Sequence, residues 1–84
     1  DRHDLANSTL VILTSDNGCS PAAGTAKLEA AGHFASGPSR GYKADIWEGG
    51  HRVPFIVRWP GVVKPTSKCS QTICLGDLTA TCSE

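Results

Sequence analysis

The strongest constraint on the fold comes from residues 9–14, which read Thr-Leu-Val-Ile-Leu-Thr. The segment is β-branched and apolar without polar–apolar alternation, so we predict a strand that is buried on both faces. Such strands belong to parallel sheets covered by helices. A second short strand is predicted between Pro54 and Pro60. The fold class we expect is therefore α/β, as a partial parallel-type sheet with long loops.

Other elements of the chain are less regular. One short helix is predicted around residues 22–31, closed by Gly32, and a helix with one apolar face is predicted after Ser70. The segment between the two strands is rich in Gly, Ala, Ser and Pro, and we interpret most of it as loop. Parallel strands need neighbouring strands and crossover helices, so two strands cannot complete such a sheet. We therefore expect the chain to belong to a larger domain.

Size and charge exclude several functional classes. The chain has 84 residues, with 8 basic and 8 acidic side chains and a formal net charge of zero. The basic residues are scattered, so we expect no binding to nucleic acid or to an anionic membrane surface. No run approaches the roughly 20 apolar residues of a membrane span. The polar start lacks an initiator Met and the last residues resemble an interrupted helix, so we expect residues 1–84 to be incomplete at both ends.

Asp16 and Asn17 are the first candidate site. They follow the predicted strand directly, and ligands of open α/β sheets bind beyond the carboxyl ends of strands. A carboxylate and an amide carbonyl offer two adjacent oxygen ligands, of the kind that calcium and magnesium favour. The alternative is an Asx turn in which Asn17-Gly18 simply ends the strand. The residues alone leave both interpretations open.

Lys43 and two histidines are the other candidates. Lys43 lies in a Gly-flanked, aromatic-rich loop, where it would clamp an anionic group such as sulfate or phosphate. The alternative is an ordinary solvated Lys. As imidazole side chains, His33 and His51 are candidates for acid, base or substrate contact, although a single His is more often structural.

The remaining motifs have mainly structural interpretations. Glu48-Gly49-Gly50 is expected to form a tight turn that needs positive φ, with an ion pair between Glu48 and Arg52. Four cysteines occur, at a spacing that matches no zinc pattern. Buried free thiols are the favoured interpretation, and a disulfide framework is the alternative.

Taken together, the motifs resemble the sulfatase family of the alkaline-phosphatase-like superfamily. Residues 9–18 are similar to a family strand and its late Asp-Asn metal pair. Residues 41–54 resemble the segment with the sulfate-contacting Lys and the Glu-Gly-Gly turn. Residues 55–61 resemble the following strand and its Trp-Pro-Gly turn, and residues 77–81 resemble the next helix, D-L-x-x-T. The four segments occur in the family's order and cover almost the whole chain.

The resemblance implies that residues 1–84 are part of a sulfatase catalytic domain that hydrolyses sulfate esters. It assigns Asp16 and Asn17 to a calcium site, with magnesium as the alternative cation, and Lys43 to sulfate binding. His33 and His51 are assigned to substrate contact. It also implies a sulfated small molecule or glycan as the substrate, and a periplasmic or secreted parent protein.

A formylglycine nucleophile is expected in the parent protein but not in this segment. Cys19 begins a segment similar to the C-x-P-x-R signature of formylglycine, yet Ala23 stands where that signature has Arg. The early Asp-Asp metal pair is also missing, so we expect the isolated chain to be inactive. Two alternatives remain: a related phosphoesterase or phosphonate hydrolase, and a non-catalytic calcium-binding module.

Overall fold

The computed structural model of the chain describes residues 2–83. These residues divide into two compact units, of which one is Ile12–Val57 and the other is formed by the segments on either side of it. The strands are β1 (Val11–Thr14) and β2 (Phe55–Arg58), and the helices are α1 (Thr25–Ala30), α2 (Glu48–His51) and α3 (Leu78–Ser83). Two 3-10 turns, Pro21–Ala23 and Leu75–Asp77, precede α1 and α3. This mixture of helix and strand agrees with the α/β class at a coarse level.

The two strands pair with each other to form a two-stranded sheet. The pair is antiparallel. Beyond the end of β1, the amide of Gly18 donates a hydrogen bond to the carbonyl oxygen of Gly50, which precedes β2. At the opposite end, Arg58 of β2 donates a hydrogen bond to the carbonyl oxygen of Ala6, ahead of β1. The parallel-type arrangement expected from the sequence is therefore not what this pair forms.

The prediction that the first strand is buried on both faces is wrong for this chain. Val11 and Leu13 are 47% and 56% exposed, while Ile12 and Thr14 are half-buried. The physical reason is the lack of a covering layer, since no hydrophobic side chain of residues 2–83 is buried. An apolar strand with one face in solvent is unusual for a protein that has a complete core.

The helix predicted around residues 22–31 forms in two parts. Gly24, with φ of +84°, separates the first 3-10 turn from α1. Gly32 closes α1 as predicted, because its φ of +83° lets the chain turn back and the amide of His33 reaches the carbonyl oxygen of Leu28 at 2.8 Å. None of the helices formed by residues 2–83 has the length and apolar character that a bilayer-spanning segment requires.

The cysteines do not match the prediction of buried thiols. All four are free, but only Cys19 is half-buried, and the other three are exposed. The same lack of buried hydrophobic side chains among residues 2–83 explains this difference, because these residues form no apolar interior that could cover the thiols. The helix predicted after Ser70 also begins later, with the 3-10 turn at Leu75 and then α3.

Candidate functional site

Asp16 and Asn17 lie immediately beyond the end of β1. The Asp16 side chain is exposed and Asn17 is half-buried. The Nδ2 atom of Asn17 donates a hydrogen bond to the carbonyl oxygen of Gly18 at 2.9 Å, and the Ser15 hydroxyl donates to the carbonyl oxygen of Asn17 at 2.8 Å. The Asn17 bond uses the side-chain nitrogen, whereas an Asx turn uses the side-chain oxygen. The Oδ1 atom of Asn17 is therefore not held in a turn.

The oxygens of Asp16 and Asn17 have the donor chemistry that suits calcium or magnesium. Both cations prefer carboxylate and amide oxygens, and calcium takes six to eight of them. Within residues 2–83 no group of three or more His, Cys, Asp or Glu side chains is arranged to hold a metal ion. The pair thus fits two positions of such a site, and the other ligands would have to come from elsewhere in a longer protein.

Two backbone hydrogen bonds join this pair to the predicted anion-binding loop. The Gly18 amide donates to the Gly50 carbonyl oxygen at 2.8 Å, and the Lys43 amide donates to the Cys19 carbonyl oxygen at 2.9 Å. Both bonds lie within the unit Ile12–Val57. The segment that follows β1 and the Lys43 loop are therefore neighbours in space, although more than 20 residues separate them in the sequence.

Lys43 belongs to a tight turn, residues 42–45, which we call the Lys43 turn. The carboxylate of Asp45 accepts a hydrogen bond from the Tyr42 amide at 2.9 Å, and the Asp45 amide donates to the Tyr42 carbonyl oxygen at 2.9 Å. Ala44 has a φ of +76°, which the turn requires. The Lys43 side chain is exposed at this turn, so its ammonium group is available to an anion in solution.

Helix α2 takes the place of the tight turn predicted for Glu48-Gly49-Gly50. Neither Gly49 nor Gly50 has positive φ, so the stated reason for glycine at these positions is wrong. Both glycines are buried, and glycine is needed for space because neighbouring backbone passes where a Cβ atom would lie. The predicted ion pair is confirmed, with Arg52 Nη1 at 3.3 Å from Glu48 Oε2.

The two candidate histidines have different surroundings. His51, in the last position of α2, has its Nε2 atom 3.0 Å from the carbonyl oxygen of Ile46. His33 follows α1 in the loop that leads towards the Lys43 turn, and its side chain is exposed. The loops are linked by the Ser36 hydroxyl, which donates to the carbonyl oxygen of Gly41 at 2.9 Å. His51 is thus engaged with backbone, whereas His33 faces solvent.

An open pocket of about 330 Å³ adjoins Asn17. Its lining includes three serines, Ser15, Ser20 and Ser36, that the sequence analysis did not select. The sequence could have indicated Ser15 as a site residue, because it lies between the predicted strand and Asp16. It could not have indicated Ser36, since its place at the pocket depends on the fold of a long loop.

Arg40 and Trp47 form a further contact, close in sequence to Lys43 and α2. The Arg40 guanidinium lies over the Trp47 ring, 4.0 Å from the ring centroid, which is within the range of a cation–π interaction. Arg40 lies three residues before Lys43 in the sequence. Its stacking on Trp47 gives it a structural role beside α2.

Comparison with known proteins shows which family the chain belongs to. A family model described as Sulfatase matches residues 1–84. Rat (Rattus norvegicus) steryl-sulfatase is 51% identical over 68 residues, which is 77% of this chain and 11% of the relative. Human arylsulfatase H is 40% identical over 86 residues, which is 99% of this chain and 15% of the relative.

A bacterial relative is similar to the same degree. The N-acetylgalactosamine-6-O-sulfatase of Bacteroides thetaiotaomicron is 41% identical over 73 residues, which is 81% of this chain and 14% of the relative. No solved structure matches the chain at a significant level. The chain therefore spans only a small part of the length of the curated relatives it matches. On the family model and these identities, the chain belongs to the sulfatase family.

Proposed function

We propose that the protein containing this segment hydrolyses a sulfate ester, and that residues 1–84 are part of its catalytic domain. In this proposal Asp16 and Asn17 supply two ligands of a divalent-metal site, and Lys43 binds the sulfate group. The observation that carries it is the hydrogen bond from the Lys43 amide to the Cys19 carbonyl oxygen. This bond brings the backbone of the cationic turn next to the residue two positions after Asn17, and binding an anion beside a metal needs a cation close to the metal ligands.

The proposed cation is calcium, with magnesium as the alternative. When bound, a divalent cation would supply Lewis-acid polarisation of the sulfate oxygens. Asp16 contributes an exposed carboxylate, and Asn17 contributes Oδ1, because its nitrogen is already bonded to the Gly18 carbonyl oxygen. Ser15 holds the Asn17 backbone through its hydroxyl. Further ligands would come from outside these residues.

Lys43 would bind and orient the sulfate group through its ammonium. An ammonium offers three hydrogen-bond donors and a full positive charge, which suits the oxygens of a tetrahedral anion. Negative charge that develops on those oxygens during ester cleavage would be stabilised by the same group. The exposed position of Lys43 leaves its side chain free to reach such an anion.

The substrate is proposed to be a sulfated small molecule or glycan. Similar proteins are named as a steryl-sulfatase, an arylsulfatase and an N-acetylgalactosamine-6-O-sulfatase, which together span apolar and sugar substrates. His33 is proposed to contact the group that carries the sulfate, because it is exposed in the loop linked to the Lys43 loop through Ser36. His51 is a weaker candidate, since its ring nitrogen already meets the Ile46 carbonyl oxygen.

The sheet is proposed to be larger in the complete domain. Strands β1 and β2 would form an antiparallel edge of a mainly parallel sheet, a common arrangement in large α/β sheets. Helices or strands from the rest of the protein would cover the apolar side chains of Val11, Leu13 and Ile56, which are exposed here. The formylglycine nucleophile and the remaining metal ligands would also lie outside this segment.

The proposal is tested by assaying the complete protein with matched aryl sulfate and aryl phosphate esters. We expect hydrolysis of the sulfate ester that stops on removal of divalent cations and returns with calcium. Preference for the phosphate ester would instead indicate a phosphoesterase or phosphonate hydrolase. Tight calcium binding by the isolated chain, with no hydrolysis by the complete protein, would indicate a non-catalytic calcium-binding module.

A further inference from the structure

Three glycine backbones cross closely between the end of β1 and the start of α2. We call Gly18, Gly49 and Gly50 the glycine clasp. A Cβ atom on Gly18 would overlap the carbonyl oxygen of Gly49, and the Gly18 amide donates to the Gly50 carbonyl oxygen at 2.8 Å. No side chain fits between these backbones, so the spacing of the two segments is set by direct backbone contact.

The glycine clasp also lies in close contact with backbone just before the Lys43 turn and at its end. A Cβ atom on Gly49 would overlap the carbonyl oxygen of Gly41, and a Cβ atom on Gly50 would overlap that of Asp45. The Gly49 amide donates to the carbonyl oxygen of Arg40 at 2.8 Å. The glycines of α2 therefore touch Gly41, just before the Lys43 turn, and Asp45 at its end.

The turn has an internal brace as well. The Asp45 carboxylate accepts the Tyr42 amide, and the Lys43 amide bonds to the Cys19 carbonyl oxygen at 2.9 Å. Lys43 is thus fixed at its own backbone, while its side chain remains exposed. The Lys43–Cys19 bond joins the Lys43 turn to the residues that follow Asp16 and Asn17, whereas the Tyr42–Asp45 bond holds the turn itself.

We infer that the glycine clasp and Asp45 are positioning residues that set the place of Lys43 relative to Asp16 and Asn17. The inference rests on the sulfate-binding role proposed for Lys43. A cation and a metal site act on the same anion only when their spacing is right, and a misplacement of 1 Å can cost roughly 100-fold in rate. Close-packed glycine backbones set such a spacing more rigidly than flexible side chains do.

The test is a double-mutant cycle in the complete protein, with Gly49→Ala and Lys43→Ala made singly and together. We expect Gly49→Ala to raise the KM for an aryl sulfate, and the inhibition constant for inorganic sulfate, by about tenfold, since coupled groups show interaction energies of this order. In the Lys43→Ala background the same change should cost less than about twofold, because the cation it positions is gone.

Gly76→Ala is the matched control. A Cβ atom there would lie 3.5 Å from Cys74 Sγ, an ordinary contact, and Gly76 lacks the positive φ that would strain an Ala. This variant should leave KM and the thermal midpoint close to those of the unchanged protein. Equal effects of Gly49→Ala with and without Lys43, or no effect at all, would reject positioning and leave a purely structural role for Gly49.

Asp45→Ala, which removes the acceptor of the Tyr42 amide, decides the question if Gly49→Ala fails to fold. The exposed Asp45 side chain makes one hydrogen bond within the turn, so its replacement should preserve the fold. Its effect on KM should shrink in the same way when Lys43 is absent, and an unchanged effect rejects the inference. If Lys43→Ala alone leaves KM unchanged, the proposed function of Lys43 and the positioning role fail together. A strong Lys43 effect with independent Gly49 and Asp45 effects rejects only the positioning role.

Discussion

The backbone amide of Lys43 donates a hydrogen bond to the carbonyl oxygen of Cys19 at 2.9 Å. The bond links an exposed cationic turn to the residue two positions after Asn17. This contact requires the segment that follows β1 and the Lys43 turn to keep a fixed spacing at their backbones. If Asp16 and Asn17 hold a metal and Lys43 binds its anion, as proposed, changes in either segment should alter the binding of the same anion.

Replacement of Asp16 by Ala should weaken divalent-cation binding by the complete protein. Loss of groups that only support metal ligands costs 10–100-fold in affinity, so loss of a ligand should cost about 100-fold or more. Calcium titration calorimetry measures the change directly. Glu29→Gln on α1 is a carboxylate control that should leave calcium affinity unchanged. Equal affinities for the Asp16 variant and the unchanged protein would remove Asp16 from the metal site.

Replacement of Lys43 by Ala should weaken sulfate binding without unfolding the protein. A hydrogen bond to a charged group contributes about 1.5–3 kcal/mol, which corresponds to roughly 10- to 150-fold in the inhibition constant of inorganic sulfate. Steady-state inhibition measures it. The exposed Lys27 of α1 provides a control of equal charge, because Lys27→Ala removes a cation away from the Lys43 turn. Similar losses in both variants would point to a general charge effect.

Replacement of His33 by Ala in the complete protein should lower kcat/KM for the native substrate. The side chain is exposed in the loop tied to Gly41 through Ser36, so its removal should affect substrate contact rather than folding. A loss of about 1 kcal/mol, or roughly fivefold, is expected for one neutral hydrogen bond. Kinetics on the native substrate, together with the thermal midpoint, separate the two effects. An unchanged kcat/KM would exclude His33 from the substrate site.

The isolated 84-residue chain should not hydrolyse an aryl sulfate. Only two of the metal ligands, Asp16 and Asn17, are proposed within it, and it lacks the C-x-P-x-R sequence from which formylglycine arises. It should also unfold without a sharp thermal transition, because cooperative unfolding depends on a buried apolar core and none exists among residues 2–83. Circular dichroism on heating and a continuous ester assay test both points. Measurable turnover by the purified chain would contradict the first.

Replacement of Glu48 by Gln should change stability very little. The ion pair with Arg52 is confirmed at 3.3 Å, but the two side chains are 59% and 73% exposed. Exposed pairs one helical turn apart contribute about 0.3–0.5 kcal/mol, and salt screens them further. Chemical denaturation of the complete protein at low and high salt measures the difference. A loss several times larger would show that Glu48 has a second partner in the complete protein.

Local features of the sequence predicted local features of the structure. The apolar segment 9–14 contains β1, Gly32 closes α1, and Glu48 pairs with Arg52 one turn later. Each depends on residues close together in the chain. The same local signals placed Asp16 just after a strand and Lys43 in a loop. The proposed roles of both residues stay predictions.

The failures all involve partners that are distant in sequence. Glu48-Gly49-Gly50 has poor helix propensity, yet it forms α2 because the Gly49 and Gly18 amides find carbonyl partners in other segments. These positions need glycine because backbone from other segments lies where a Cβ atom would be. No local sequence pattern indicates that close approach. Likewise, the apolar character of residues 9–14 indicates that the strand needs a covering layer of other elements. Residues 2–83 do not supply that layer.

The pairing of β1 with β2 has a consequence for how the site is assembled. All of residues 15–54, including Asp16, Asn17 and the Lys43 turn, lie in the loop that this pairing closes. The entropy of closing such a loop must be lost before its contacts form, and non-local pairing of this kind slows folding. The candidate site should therefore be among the last parts to take shape during folding and among the first to be cut by a protease. Protection of residues 15–54 from proteolysis would indicate that β1 and β2 have paired.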